Sequence, residues 1–271
     1  WAKVKMAIKD LDGLYILASE NENVERPITT KLQSYGLECS NLKFTYNEGQ
    51  GVLDVPTLKI NQGERIGILG AIGSGKSTLL KVLSGLYKPS VGSVLLDGID
   101  IQQLSRDTVT DTIGYLEQDT RLISGTLRDN LTLGLVNVTD TDIIEASKLT
   151  GLIKLISILP EGLDTKVPEG GKSVSGGQRQ MIAVTRIVIG KSKVIILDEP
   201  TASMDDASER LILDMLQKNT TQKQTIILVT HKPILLTLVD RIILLNDKGE
   251  IVVDNSKEVV LKMLNNKKTQ S

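Results

Sequence analysis

Apolar and polar residues alternate from Leu37 to Tyr46 (LECSNLKFTY), the period of a half-buried strand, and after an NEGQG turn short strand pattern resumes as far as Ile60. The two segments predict an antiparallel β piece. The pattern then changes. Arg65–Leu69 is a short, mostly apolar run that enters a glycine loop, and residues 77–86 continue as a helix, so strand, loop and helix follow in order. Two later runs, Val194–Leu197 and Thr225–Val229, are apolar almost throughout, as parallel strands covered on both faces must be. Helical spacing dominates between Asp119 and Gly190, which predicts a helical subdomain inserted into an α/β core. Ahead of the first strand, Val4, Ile8, Leu11, Leu14, Tyr15 and Ala18 recur at helical spacing despite Gly13, so 1–19 is expected to be an amphipathic helix. The polar stretch ENENVERPITTK reads as a linker, and the globular domain is expected over 36–271, following a helix-and-linker segment at 1–35. A short Lys/Asn/Gln tail follows Leu264.

Composition narrows the function classes. With 271 residues, 40% hydrophobic and 24% charged, the chain can bury a sizeable core. Its 32 basic and 33 acidic residues leave a formal charge of −1, so no general field favours nucleic acid and any anion site must be local. A single cysteine, Cys39, excludes an internal disulfide and fits a reducing compartment. No run approaches the ~18 consecutive apolar residues of a spanning helix and no leader opens the chain, so the fragment is expected to be soluble and unsecreted. It starts at Trp1 rather than Met, which reads as a piece excised from something longer.

Three clusters carry chemistry. Gly70-Ala71-Ile72-Gly73-Ser74-Gly75-Lys76-Ser77 satisfies G-x-x-x-x-G-K-[ST] between a predicted strand and a predicted helix. Glycines let consecutive backbone N–H groups curl around a β-phosphate, Lys76 reaches β/γ oxygens and the Ser77 hydroxyl suits Mg²⁺. Thr78 is counted with these nucleotide-binding positions. Second, Val194–Leu197 ends in Asp198 and Glu199, at the carboxyl edge where α/β sheets bind ligands. Asp198 would hold Mg²⁺ through water, and Glu199 would orient or deprotonate an attacking water. Two acids after a strand are otherwise an ordinary solvated strand end; the glycine loop upstream tips the balance. Third, Ser175-Gly176-Gly177-Gln178 opens a second helical stretch, a capped N-terminus with free N–H groups. Spacing alone leaves two readings open, a capped helix after a loop or a second phosphate contact made across a dimer.

The order of glycine loop, Gln118, SGGQ, LDE and a downstream histidine resembles the ABC ATPase family over residues 37–262, with Ser175–Gln178 matching its distinguishing signature. The resemblance implies a P-loop NTPase (RecA-like) α/β core, ATP and Mg²⁺ as ligands, and two domains paired head to tail. Each ATP would then lie between one chain's Gly70–Thr78 loop and the other's Ser175, Gly176, Gly177 and Gln178. It further implies that Tyr46 stacks on adenine, that Gln118 touches Mg²⁺ and senses a transmembrane partner, that His231, the chain's only histidine, is the γ-phosphate switch, and that Ser203 and Asp205 belong to a loop crossing the dimer interface. Val174, Met204 and Pro168 stand where the family has Leu, Leu and Gly; Val174 is expected to alter packing only, and Pro168 precedes the Glu169–Gly171 segment that exporters use to contact their membrane domain.

Ser124–Leu131 (SGTLRDNL) resembles a segment typical of exporters, with Ile123 in place of Phe. Together with the helix at 1–19, it implies an exporter whose membrane and ATPase parts are fused, and Glu169–Gly171 with Asp198–Asp205 look most like bacterial type I secretion exporters of proteins and peptides. About six apolar segments of ~20 residues are then expected upstream. The implied partners are the transmembrane domain of the same polypeptide, a second copy on ATP binding, a cargo that touches the membrane part, and a periplasmic adaptor with an outer-membrane channel; nucleic acid is not among them. The implied location is the cytoplasmic face of the bacterial inner membrane. A multidrug or lipid exporter and a non-transport ABC ATPase are the alternatives, and the chain has neither the second cassette nor the coiled-coil insertion usual in the latter.

Overall fold

A computed structural model describes residues 27–46, 51–219, 221 and 223–268. The helix expected over 1–19 and nearly all of the NEGQG turn lie outside the described residues. In chain order come β1 (Leu37–Thr45), β2 (Gly51–Ile60), β3 (Arg65–Gly70), α1 (Lys76–Leu83), β4 (Val91–Leu96), β5 (Ile99–Asp100), α2 (Arg106–Thr112) and β6 (Ile113–Leu116). A mainly helical stretch follows, with β7 (Gly125–Thr126), α3 (Leu127–Thr132), α4 (Asp140–Thr150), α5 (Ile153–Ile158), β8 (Lys166–Val167) and α6 (Gly176–Gly190). Last are β9 (Val194–Asp198), α7 (Asp206–Asn219), β10 (Thr225–Val229), β11 (Arg241–Leu245), β12 (Ile251–Ser256) and α8 (Lys257–Lys268). Among the described residues no helix is long and apolar enough to cross a membrane.

The alternating segments form an antiparallel sheet in the order β2-β1-β4-β5. The continuous apolar runs form the second sheet, β12-β11-β3-β10-β9-β6, parallel except for β12 at one edge. Every residue of β9 and β10 is buried, as strands covered on both faces require. Successive side chains serve opposite sides. Ile68, Ile196, Ile227 and Ile243 pack with α1 and the antiparallel sheet, whereas Ile195, Leu197, Ile226 and Leu228 pack with α6 and α7.

A third cluster, with Leu127, Leu131, Ile143, Leu152 and Ile182, is the core of the helical region. α6 belongs to two cores at once: Ile182 and Ile189 face the helical cluster, while Ala183 and Val184 face the sheet. Fully buried Ile or Val side chains contribute ~1.5–3 kcal/mol each, so this one helix ties the helical region to the sheet. Within the stretch of helical spacing, β7 pairs with β8 through Gly125↔Val167, a two-residue pairing too short to leave a period in the sequence. Ahead of β1, Ile28 bridges Leu104 and Leu32 is buried, so part of the polar segment already packs on the domain.

Parallel register aligns the carboxyl ends. Ile68 of β3 pairs with Val229 of β10, Val229 with Asp198 of β9, and Leu197 with Leu116 of β6. The loops bearing Gly70–Gly75, Asp198–Glu199, His231 and Gln118 therefore leave from one edge of one sheet.

Candidate functional site

The glycine loop is shaped by close approach. A Cβ on Gly70 would lie 2.7 Å from the Leu245 carbonyl oxygen, and one on Gly75, at φ 87°, would lie 2.8 Å from both the Val52 carbonyl oxygen and Leu53 Cδ2. Only glycine fits either position. The loop curls until Lys76 Nζ donates to the carbonyls of Gly70 (3.0 Å) and Ala71 (2.8 Å). Burial pulls the Lys76 ammonium below its ordinary pKa, opposed by the nearby Glu199 and Asp198 carboxylates. Ser74 is buried with its hydroxyl unpartnered among the described residues, while Ala71, Ile72 and Gly73 are exposed on the outer side.

Asp198 is 1% exposed, and burial raises its pKa; hydrogen bonding with Ser77 and the charges of Lys81 and Lys76 oppose that rise. Among the described residues its Oδ1 has no hydrogen-bond partner. An orphaned buried carboxylate oxygen beside a serine hydroxyl is chemically fit for Mg²⁺, which takes one or two protein oxygens and leaves its remaining positions to water and phosphate. Among the described residues no group of three or more His, Cys, Asp or Glu could hold a metal ion.

Glu199 lies at φ 50°, a left-handed conformation that costs a non-glycine residue ~1–3 kcal/mol. Its N–H donates to the Val229 carbonyl at 2.9 Å. Its carboxylate accepts from the His231 backbone N–H at 3.4 Å and lies 3.5 Å from His231 Nε2, with Oε1 otherwise unpartnered among the described residues. The His231 side chain is 60% exposed, so the pair sits at the mouth of the site.

Two further residues expected at the site flank α1. The Tyr46 hydroxyl shares a 3.0 Å hydrogen bond with Thr78 Oγ1, and its ring meets Phe44 and Tyr87 edge-on at 4.9 and 5.8 Å. Gln118 is exposed two residues beyond the end of β6; its neighbour Glu117 is tied to Lys81 of α1 at 2.7 Å, which holds this loop beside the glycine loop's helix.

Ser175–Gln178 form the N-terminus of α6. Ser175 Oγ accepts from the Gln178 N–H at 3.2 Å and Gln178 Oε1 accepts from the Ser175 N–H at 2.8 Å, a closed capping box. Gly176 and Gly177 lie against Ser203, whose carbonyl oxygen would be 2.8 Å from a Cβ on Gly177. Asp205 caps α7 by accepting from the Ser208 N–H at 2.7 Å, which holds its carboxyl below the usual range.

Sequence reasoning missed the residues that brace the 199–203 loop. Gln180 Nε2 donates to the Glu199 carbonyl, and Gln180 Oε1 accepts from the Ser203 N–H. On the other side, Lys232 Nζ donates to the Thr201 carbonyl at 2.9 Å and pairs with Glu209 at 3.1 Å, while Thr201 Oγ1 donates to Glu209 at 2.8 Å. No local pattern marks these side chains, since each looks like an ordinary polar residue of a helix or loop; only burial, at 8% exposure for Glu209 and 3% for Gln180, singles them out.

A glycine loop between a parallel strand and a helix, a lysine folded over it and two buried carboxylates on the same sheet edge define a P-loop nucleotide-binding ATPase. The model of the family described as ABC transporter matches residues 53–202. The chain belongs to the ABC transporter family, and it is an ATP-binding domain of that family's ATPases. Similar proteins include the heterocyst differentiation ATP-binding protein HepA of Nostoc sp., 31% identical over 94% of this chain and 44% of its own length. The leukotoxin translocation ATP-binding protein LktB of Mannheimia haemolytica is 36% identical over 92% of this chain and 35% of its own length. Among solved structures, a bacterial Atm1-family ABC exporter with ATP bound superposes with a TM-score of 0.80 at 27% identity, over 89% of this chain and 41% of that one. This chain spans less than half the length of the curated relatives it matches.

Proposed function

We propose that the chain is the nucleotide-binding domain of an ABC exporter and couples ATP hydrolysis to transport. The observation that carries this reading is the convergence of the Gly70–Ser77 loop, the buried Asp198–Glu199 pair and His231 on one sheet edge. In this reading residues 36–271 are the ATP-binding domain, with a helical subdomain at about 119–190, and 1–35 are the end of a membrane helix and its linker. Backbone N–H groups of Gly70–Gly75, the Lys76 ammonium and Thr78 hold the phosphates, and Tyr46 stacks on adenine. Mg²⁺, when bound, neutralises phosphate charge; Ser77, Asp198 and Gln118 would hold it. Glu199 orients the attacking water and takes its proton, and His231 steadies that carboxylate beside the γ-phosphate. Ser175, Gly176, Gly177 and Gln178 serve the nucleotide on a partner chain in a head-to-tail dimer, with Asp205 on the crossing loop.

Similarity to membrane exporters supports the rest of the assembly. In this reading the ATP-binding domain lies at the cytoplasmic face of the bacterial inner membrane, and a transmembrane domain of the same polypeptide contacts the cargo. The similarity to a leukotoxin translocation protein supports a protein or peptide cargo, with a periplasmic adaptor and outer-membrane channel as further partners. Similarity to an Atm1-family exporter supports a second reading, an exporter of another cargo class, and transport assays on the full-length protein in vesicles separate the two.

The chemistry is tested by two substitutions. Lys76→Ala is expected to lose ATP binding or turnover with the fold retained, because a point charge leaves the β/γ oxygens. Glu199→Gln keeps shape and removes basicity, so hydrolysis should fall by about 10²-fold or more while ATP binding persists. A Glu199→Gln protein that turns over at the parental rate refutes the general-base assignment.

A further inference from the structure

The helix that begins with Ser175–Gln178 also reaches the Glu199 loop from behind, through one buried side chain. Gln180 is 3% exposed and both ends of its amide are used: Nε2 donates to the Glu199 carbonyl at 2.6 Å and Oε1 accepts from the Ser203 N–H at 3.0 Å. These backbone groups bracket the 199–203 loop. Its first residue, Glu199, sits at φ 50°, a conformation that persists only where the surroundings over-determine it. Two contacts do so. β10 holds the Glu199 N–H through the Val229 carbonyl, and α6 holds the Glu199 carbonyl through Gln180. At the loop's far end, Gly177 lets the Ser203 carbonyl oxygen come within 2.8 Å of where a Cβ would stand, so the N-terminus of α6 and the loop touch directly as well.

We propose that Gln180 is a positioning residue for ATP hydrolysis: it fixes the backbone from which the Glu199 carboxylate projects and makes the Ser175–Gln178 end of α6 and the Glu199 loop move as one body. A shift imposed on that helix end by a partner's nucleotide then reaches Glu199 instead of being absorbed between them. The inference rests on the reading of Glu199 as the group that orients water.

The test compares ATP turnover of the parent, Gln180→Met, Gln180→Glu, Glu199→Gln and the Gln180→Met/Glu199→Gln pair. Methionine keeps length and bulk without either hydrogen bond. A base misplaced on the ångström scale costs up to about 10²-fold, so Gln180→Met should lower kcat by about 10-fold to 10²-fold with KM for ATP changed by less than about twofold. Gln180→Glu keeps the acceptor for Ser203 and loses the donor to Glu199, except when protonated. Since burial raises a carboxyl's pKa, its kcat relative to the parent should climb as the pH is lowered from about 8 to about 6, whereas the Gln180→Met ratio stays flat. Added to Glu199→Gln, Gln180→Met should cost little more, because both act on one group.

A parental kcat in folded Gln180→Met, or full additivity in the pair, overturns the proposal. If Gln180→Met does not fold, a pH-independent Gln180→Glu ratio overturns it instead. Parental turnover in Glu199→Gln would defeat the underlying reading of Glu199, while an inactive Glu199→Gln beside a fully active Gln180→Met would defeat only the role of Gln180.

Discussion

Tyr46, the proposed platform for adenine, is held in place before any ligand binds. Its hydroxyl is anchored on Thr78 of α1 and its ring is braced edge-on by Phe44 and Tyr87, yet 46% of the residue stays exposed. An aromatic already held in place loses little entropy when a base stacks on it, and such stacking is worth about 1–3 kcal/mol. Tyr46→Ala should therefore raise the ATP dissociation constant by about 5-fold to 10²-fold in a fluorescent-nucleotide titration. Tyr46→Phe, which loses only the Thr78 bond, should move it far less. An unchanged constant in Tyr46→Ala removes Tyr46 from the adenine site.

At the scale of elements, capping and cross-bracing orient the helical region. Asp142, three residues past the Thr139 cap of α4, accepts from the Thr139 hydroxyl (2.5 Å) and N–H (3.1 Å) and from Lys191 Nζ (3.0 Å), the residue that follows α6. The Thr139 hydroxyl first, then Lys191, pull its carboxyl down to about 2. A carboxyl with a folded pKa below its unfolded value adds stability above the unfolded pKa and loses it as the pH falls through the folded one. That window runs from about 4 down to about 2. Urea midpoints of the parent and Asp142→Asn should therefore differ at neutral pH, and the gap should close as the pH falls across the window. A gap independent of pH would show that the carboxylate's charge plays no part. Asn130 braces the neighbouring helix: fully buried, it accepts from the Ile123 N–H and donates to the carbonyls of Ile123 and Thr126. The SGTLRDN segment thus has a local structural role, independent of any transport partner.

For the molecule as a whole, the two glycine-rich helix N-termini sit on different elements. The glycine loop sits on the carboxyl edge of the parallel sheet, and Ser175–Gln178 on a helix shared between that sheet and the helical core. If each nucleotide bridges two chains, blocking hydrolysis traps the bridged state. Glu199→Gln with ATP and Mg²⁺ should run as a dimer in light scattering and as a monomer without nucleotide. Ser175→Arg added to it should abolish the dimer, because a bulky side chain displaces a phosphate from the N-terminus of α6. A double variant that still dimerises with ATP refutes the head-to-tail sandwich.

What the sequence alone determined is the chemistry carried by adjacent residues. Gly70–Ser77 matches a loop that leaves a strand and enters a helix, and the apolar runs ending at Leu197 and Val229 read as strands covered on both faces, which β9 and β10 are. What only the tertiary structure decided is which strands are neighbours. Continuous apolar strands look alike locally and carry no register of their own, so the order β11-β3-β10-β9-β6 comes from packing α1 on one face and α6 and α7 on the other. That order sets His231 against Glu199 across 32 residues and brings Gln180 to the Glu199 carbonyl across 19. The left-handed backbone of Glu199 belongs to the same category: nothing in the dipeptide Asp198-Glu199 calls for it, and it exists because β10 and α6 grip the peptide from both sides.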